Sequence, residues 1–250
     1  MNPYEKTEQF LDLYKQFEKT GRKQFPDAPE NAPVITRLAN LPMLREFKDD
    51  IEYCRVVRNF LVHTPKIKGM YPVLPSDEMI EVLQRCINRV NNPIKTIDYS
   101  IKLANMFTAT LNSKIVFVTD YMNKYGFTHV PVIDEQNRLI GVFSDNALYT
   151  FICEKGTIHI TEETTLNEIV EYLPIYAHNQ EYFAFMKTDS FLYEVIDIFK
   201  INVKSMKTLA GVFFNKTGKV NEPIEAMMTQ YSLLRDFENY QSYIKNYLRK

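Results

Sequence analysis

The sequence predicts an α+β chain of two domains, an N-terminal all-α helical bundle followed by a pair of βαββα units. Three observations carry this. Up to about Asn92, apolar residues recur at helical spacing. After Pro93 the period changes, and short β-like runs alternate with helices. That second pattern then recurs: Gly141-Val142-Phe143-Ser144-Asp145-Asn146-Ala147-Leu148 aligns with Ala226-Met227-Met228-Thr229-Gln230-Tyr231-Ser232-Leu233. The expected boundaries are 1–93 for the bundle and 94–250 for the pair, with copies at about 96–155 and about 160–240.

In the bundle, a helix from Tyr4 to Thr20 places Phe10, Leu13, Tyr14 and Phe17 on one side, and Gly21 is expected to stop it. A loop from Phe25 to Pro33 precedes a short turn or helix at Ile35–Leu38. A long helix runs from roughly Leu44 to His63, where Thr64-Pro65 ends it. A loop holding Gly69, Pro72 and Pro75 leads to Ser76, a good N-cap. Met79, Val82, Leu83, Cys86 and Val90 then repeat at helical spacing up to Asn91-Asn92-Pro93.

The first copy reads as a strand at Phe107–Leu111, a helix at Val116–Lys124 and a strand at His129–Asp134. A turn at Glu135-Gln136-Asn137, a strand at Leu139–Ser144 and a helix from Asp145 complete it. The second copy reads as a helix at Leu166–Leu173, a strand at Tyr182–Met186, a helix at Phe191–Phe199 and a strand at Leu209–Phe214. A longer turn at Asn215–Gly218, a strand at Ile224–Thr229 and a helix from Gln230 to about Tyr247 follow.

Charge is balanced at a net of −1, which excludes a general nucleic-acid or membrane field. No apolar run approaches membrane-spanning length, and Met1-Asn2-Pro3-Tyr4-Glu5-Lys6 has no secretory apolar region. Cys54, Cys86 and Cys153 fit neither a metal-ligand spacing nor a disulfide framework, so no metal and a cytoplasmic protein are expected, with Cys54 a buried thiol.

Arg58 is the residue that breaks the pattern. Leu44, Phe47, Ile51 and Cys54 behind it, and Leu61 and Val62 ahead, form one apolar stripe with the guanidinium near its middle. Burying that charge unpaired costs several kcal/mol. Either it has a partner, such as Asp49, Asp50 or Glu52 of another protomer, or the stripe opens onto a site. His63 lies about 140° round the helix, with Asn59 between, and brings an imidazole, the side-chain type suited to proton transfer. A cation at a helix C-terminus is also favoured for structural reasons. Nearby Arg55, Lys66, Lys68, Arg85 and Arg89 are interspersed with Glu52, Asp77 and Glu81, the pattern of a solvated face.

The strand His129-Val130-Pro131-Val132-Ile133-Asp134 and the two aligned segments resemble a tandem pair of CBS domains over roughly Thr96–Phe237. The pattern is fuller in the first copy; Met and Phe replace much of it in the second. The resemblance implies two βαββα units about a pseudo-twofold axis, with adenine nucleotides (AMP, ATP or cyclic di-AMP) held in the clefts. Thr108, His129, Pro131, Ser144, Thr229 and Ser232 are the residues it implies for that cleft. Ser144 and Thr229 each end a strand and begin a helix, where a hydroxyl can cap and free N–H groups can hold phosphate. The family's ribose-binding Asp falls at Ala147 and Ser232, neither of which is a carboxylate. A ligand read through base and phosphate, such as a cyclic dinucleotide, or an empty pair that only dimerises, both stay open.

Arg58, Asn59, three residues and His63, at the end of a long helix, resemble the motif of HEPN domains over about Tyr4–Asn92. Many HEPN domains are metal-independent ribonucleases, and others only bind partners. The resemblance implies a homodimer in which two motifs share a cleft that takes RNA, with Tyr53, Val56 and Phe60 as the contact face. His63 would take the proton of the 2′-hydroxyl. Arg58 would bind the phosphorane oxygens, with Asn59 orienting.

Overall fold

The computed structural model describes residues 2–156, 160–201 and 207–235. Its backbone forms two compact units divided between Ile94 and Lys95.

The first unit is all helix. α1 (Pro3–Gln24) starts on a capping box: Asn2 accepts from the Tyr4 N–H through its side chain, and Glu5 accepts from the Asn2 N–H. α2 (Val34–Ala39), a 3-10 segment at Pro42–Phe47, α3 (Lys48–His63) and α4 (Asp77–Asn91) follow. Ser76 caps α4 by accepting from the Met79 N–H at 3.3 Å. α1 packs on α2 and α4, and α3 on α4, around the fully buried Phe10, Phe17, Leu38, Leu44, Ile51 and Leu83.

Gly21 does not end α1. It is buried inside the helix, where a Cβ would come within 2.9 Å of Leu38 Cδ1 and 3.2 Å of Val34 Cβ, so the glycine admits α2 rather than stopping α1. The long helix divides at Lys48, its first turns being the 3-10 segment. Leu44, Phe47, Ile51, Cys54 and Leu61 are buried as the stripe requires, but Val62 is exposed, one residue and about 100° past Leu61. Burial pushes the Cys54 and Cys86 thiols up to about 12, which leaves them unreactive.

The second unit mixes helix and sheet. Its elements are β1 (Ile101–Lys102), α5 (Ile115–Tyr125), β2 (His129–Ile133), β3 (Leu139–Ser144), α6 (Asp145–Lys155), β4 (Glu181–Lys187), α7 (Leu192–Ile201), β5 (Thr208–Asn215), β6 (Ala226–Met228) and α8 (Gln230–Arg235). β2 and β3 form an antiparallel hairpin. In its turn the Asp134 carboxylate accepts from the N–H groups of Gln136 and Arg138, while Asn137 takes φ +60°. The other sheet has the order β1-β6-β5-β4, with β4 and β5 parallel and the rest antiparallel. Its longer hairpin turn is held by Asn215, whose side chain accepts from Thr217 and Gly218 N–H.

Three expected elements change. The strand at Phe107–Leu111 reduces to one parallel bridge, Ala109 to Val132, because Thr110 and Ser113 bond to each other and turn the chain away. The helix at Leu166–Leu173 is a kinked 3-10 segment, Leu166–Tyr172, that leaves helical backbone at Ile169. The last strand shortens to β6 because Thr229 already serves the next helix. The end of the last expected helix, beyond residue 235, lies outside the described residues. One core gathers Val118, Val130, Val132, Phe143 and Leu166; a second gathers Ile133, Val142, Phe213, Ile224 and Met227. Among the described residues, no helix is long and apolar enough to cross a membrane.

Candidate functional site

The β2–β3 register pairs His129 directly with Ser144. Cross-strand partners carry their side chains on the same face, so these two expected ligand residues stand side by side. Glu181, the first residue of β4, meets both. Its carboxylate accepts from Ser144 Oγ at 2.6 Å and His178 Nδ1 at 2.7 Å on one oxygen. On the other it accepts from His129 Nε2 at 2.8 Å and Asn146 Nδ2 at 2.9 Å. Glu181 is 3% exposed. Phe183, two residues along β4 and therefore on the same face, packs its ring edge-on to both imidazoles and closes that side.

Both histidines are fixed by their second nitrogens. Thr128 Oγ1 lies 2.7 Å from His129 Nδ1, and a hydroxyl can donate there. His178 Nε2 lies 3.1 Å from the Leu173 carbonyl, so both of its nitrogens face oxygen atoms. Burial alone would raise the Glu181 carboxyl; the hydrogen bonds from His129, His178 and Ser144 outweigh it and hold the group far below the usual carboxylate range. Ser144 has a second duty, capping α6 by accepting from the Ala147 N–H at 3.2 Å. The assembly is an anion cradle whose anion is a side chain of the chain itself.

The other expected ligand residues stand apart from it. Pro131 is buried in β2 and its carbonyl accepts from Ala109 N–H. Thr108 is half-buried beside that bridge. Thr229 and Ser232 bond to each other: Thr229 Oγ1 accepts from Ser232 N–H at 3.1 Å and Ser232 Oγ accepts from Thr229 N–H at 2.8 Å, a local cap for α8. Glu181, His178 and Asn146 are absent from the sequence expectation. A lone acidic residue ahead of an apolar run ordinarily faces water, and the contacts from Glu181 to Ser144, Asn146 and His129 span much of the second unit, so no local spacing announces them.

In the bundle, Arg58 lies over the Tyr14 ring at 5.4 Å, donates to Asn59 Oδ1 at 3.2 Å, and has Nη2 at 3.7 Å from Glu18 Oε1. Its side chain is 30% exposed, so the guanidinium is not sealed. Its acidic neighbour comes from α1, whereas Glu52 pairs with Arg55. Burial and the Glu18 charge push the Tyr14 hydroxyl up to about 12, against the opposing pull of Arg58. His63 is exposed in the last turn of α3. Tyr53, Val56 and Phe60 are all exposed. Three more of the basic residues nearby are engaged: Arg85 with Glu81, Arg89 with Glu46, and Lys66 over the rings of Tyr4 and Tyr71.

Comparison with known proteins assigns part of the second unit. Residues 98–154 match the CBS domain family. That stretch runs through β1, α5, the hairpin and nearly all of α6, and so contains His129 and Ser144. Among solved structures, a CBS domain protein from Streptococcus pneumoniae TIGR4 is similar over 58% of this chain and 82% of its own, at 12% identity and a TM-score of 0.42. CBSX2, solved in complex with AMP, is similar over 59% and 98%, at 12% identity and a TM-score of 0.41. CbpB, solved in complex with c-di-AMP, is similar over 62% and 89%, at 16% identity and a TM-score of 0.41. No curated protein matches the chain.

Proposed function

We propose that the second unit is a tandem CBS pair that senses an adenine nucleotide and thereby regulates the HEPN-like bundle. The observation that carries this reading is the CBS match over 98–154, whose hairpin and following helix recur as β5, β6 and α8. A ligand shifts such a protein by as much as it prefers one arrangement over another, commonly 1–3 kcal/mol of coupling. With Ala147 and Ser232 at the positions of the ribose carboxylate, recognition falls on base and phosphate, which favours a cyclic dinucleotide over AMP. The test is a thermal-shift and calorimetric titration with AMP, ATP and cyclic di-AMP. A ligand at 100 times its Kd adds about 2.7 kcal/mol of stability. No response to any of the three overturns the reading.

A second reading rests on the unsealed guanidinium of Arg58 beside Asn59, one and a half turns before an exposed His63. In it, two bundles meet over Tyr53, Val56 and Phe60 and cut RNA without a metal. His63 removes the 2′-hydroxyl proton, Arg58 binds the phosphorane oxygens, Asn59 orients them, and a 2′,3′-cyclic phosphate is left. Labelled single-stranded RNA in EDTA is expected to be cut by the wild type and spared by His63→Ala. Equal cutting by both, or none by the wild type, removes this reading.

A further inference from the structure

We propose that Glu181 is the resident anion of the first copy, closing the cradle of Ser144, Asn146, His129 and His178 against phosphate-bearing ligands. This goes beyond the nucleotide reading, and it stands whether or not the pair binds a nucleotide.

The geometry is that of an oxyanion receptor already filled. The two carboxylate oxygens take two donors each, at 2.6–2.9 Å. A carboxylate offers about four acceptor sites, so none is left over. Three residues of the cradle belong to the β2–β3–α6 segment, and Ser144 begins α6, where backbone N–H groups and the helix dipole favour a negative group. The anion comes from β4, in the second copy. A phosphate entering here would meet a buried carboxylate at hydrogen-bond range of the same donors, and two such anions repel strongly in a site shielded from water. Glu181 is 4% and His178 0% exposed at the side chain, with Phe183 edge-on to both imidazoles and His129 16% exposed, so water screens that repulsion only from the His129 side. Loss of the carboxylate would leave the same donors converging on a space of carboxylate size. Buried donors without acceptors are costly, and a small oxyanion relieves that cost.

The experiment titrates inorganic phosphate, then AMP, into the full chain and its Glu181→Ala variant, following 31P line width and thermal shift. The wild type is expected to show no phosphate response. Glu181→Ala is expected to gain at least a tenfold tighter response, which the added Ser144→Ala change removes. A folded Glu181→Ala that gains nothing overturns the proposal, as does a wild-type phosphate response that Ser144→Ala abolishes. If Glu181→Ala does not fold, the wild type alone decides, through the side-chain 1H–15N signals of His129 and His178. They are expected to stay fixed while AMP or cyclic di-AMP is added to saturation or to the solubility limit. Movement of both overturns the proposal, since a ligand would then have entered the cradle. Absence of nucleotide binding altogether counts against the proposed sensing role but leaves these signals unmoved.

Discussion

Gly141 stands against the carbonyl of Leu173 with no room for a side chain: a Cβ at Gly141 would lie 2.1 Å from that oxygen and 2.3 Å from its carbon. The same oxygen accepts from the Val142 N–H at 2.8 Å and faces His178 Nε2 at 3.1 Å. One backbone carbonyl therefore docks the 3-10 segment onto β3 and aims an imidazole into the cradle.

Gly141→Ala is expected to cost about 3 kcal/mol or more, because backbone must move and a packed core relaxes poorly. Chemical denaturation would read this as a lower midpoint at unchanged slope. A loss under 1 kcal/mol would mean that the Leu173 segment yields freely.

The second expectation concerns pH. Glu181 has its carboxyl lowered by folding from an ordinary 4.5, so its contribution is complete above that value and is lost as pH falls below it. Glu181→Gln is expected to lose about 3 kcal/mol at pH 7, the scale of a broken buried pair. The gap between wild type and variant should narrow steadily from pH 5 to pH 3. A gap that does not change over that range would contradict the buried-carboxylate account.

Ser144 and Thr229 occupy equivalent places in the two copies but do different work. Ser144 caps α6 and also donates to Glu181; among the described residues Thr229 bonds only within its own turn. Ser144→Ala is expected to cost about 2–3 kcal/mol, a cap plus a hydrogen bond to a buried charge. Thr229→Ala should cost about 1 kcal/mol. Equal losses in urea unfolding would show that the Glu181 contact adds nothing.

For the bundle, Arg58→Lys separates charge from shape. If Arg58 grips a phosphate through two nitrogens, lysine is expected to lower RNA cleavage about 100-fold or more while stability changes by under 1 kcal/mol. Single-turnover cleavage and thermal unfolding of the two proteins check this together. Unchanged cleavage would assign Arg58 to the Tyr14 and Glu18 contacts alone.

The features legible in the sequence were those set by neighbours a few residues away. The cap at Ser76, the Asp134–Arg138 turn, the apolar stripe from Leu44 to Cys54 and the hairpin ending at Ser144 all follow from local chemistry. Gly21 was misleading because its cause is Leu38, on another helix. The segment at 107–111 has strand composition, yet a Thr110–Ser113 turn competes with pairing and wins. Ser144 is recognisable as a cap at the end of its strand. Its further partner is not, because Glu181 arrives from the other copy and its spacing from Ser144 or His129 carries no period.

β1 opens the first copy, yet it hydrogen-bonds to β6, near the end of the second. The seam that closes this sheet therefore forms only once nearly all of the unit has been synthesised. A gene cut between the copies would yield a fragment with one strand unmated and another sheet lacking its border, not a half-size sensor. Partial proteolysis or stepwise heating should accordingly find a single cooperative block here, since neither copy can come undone without tearing the edge of the other.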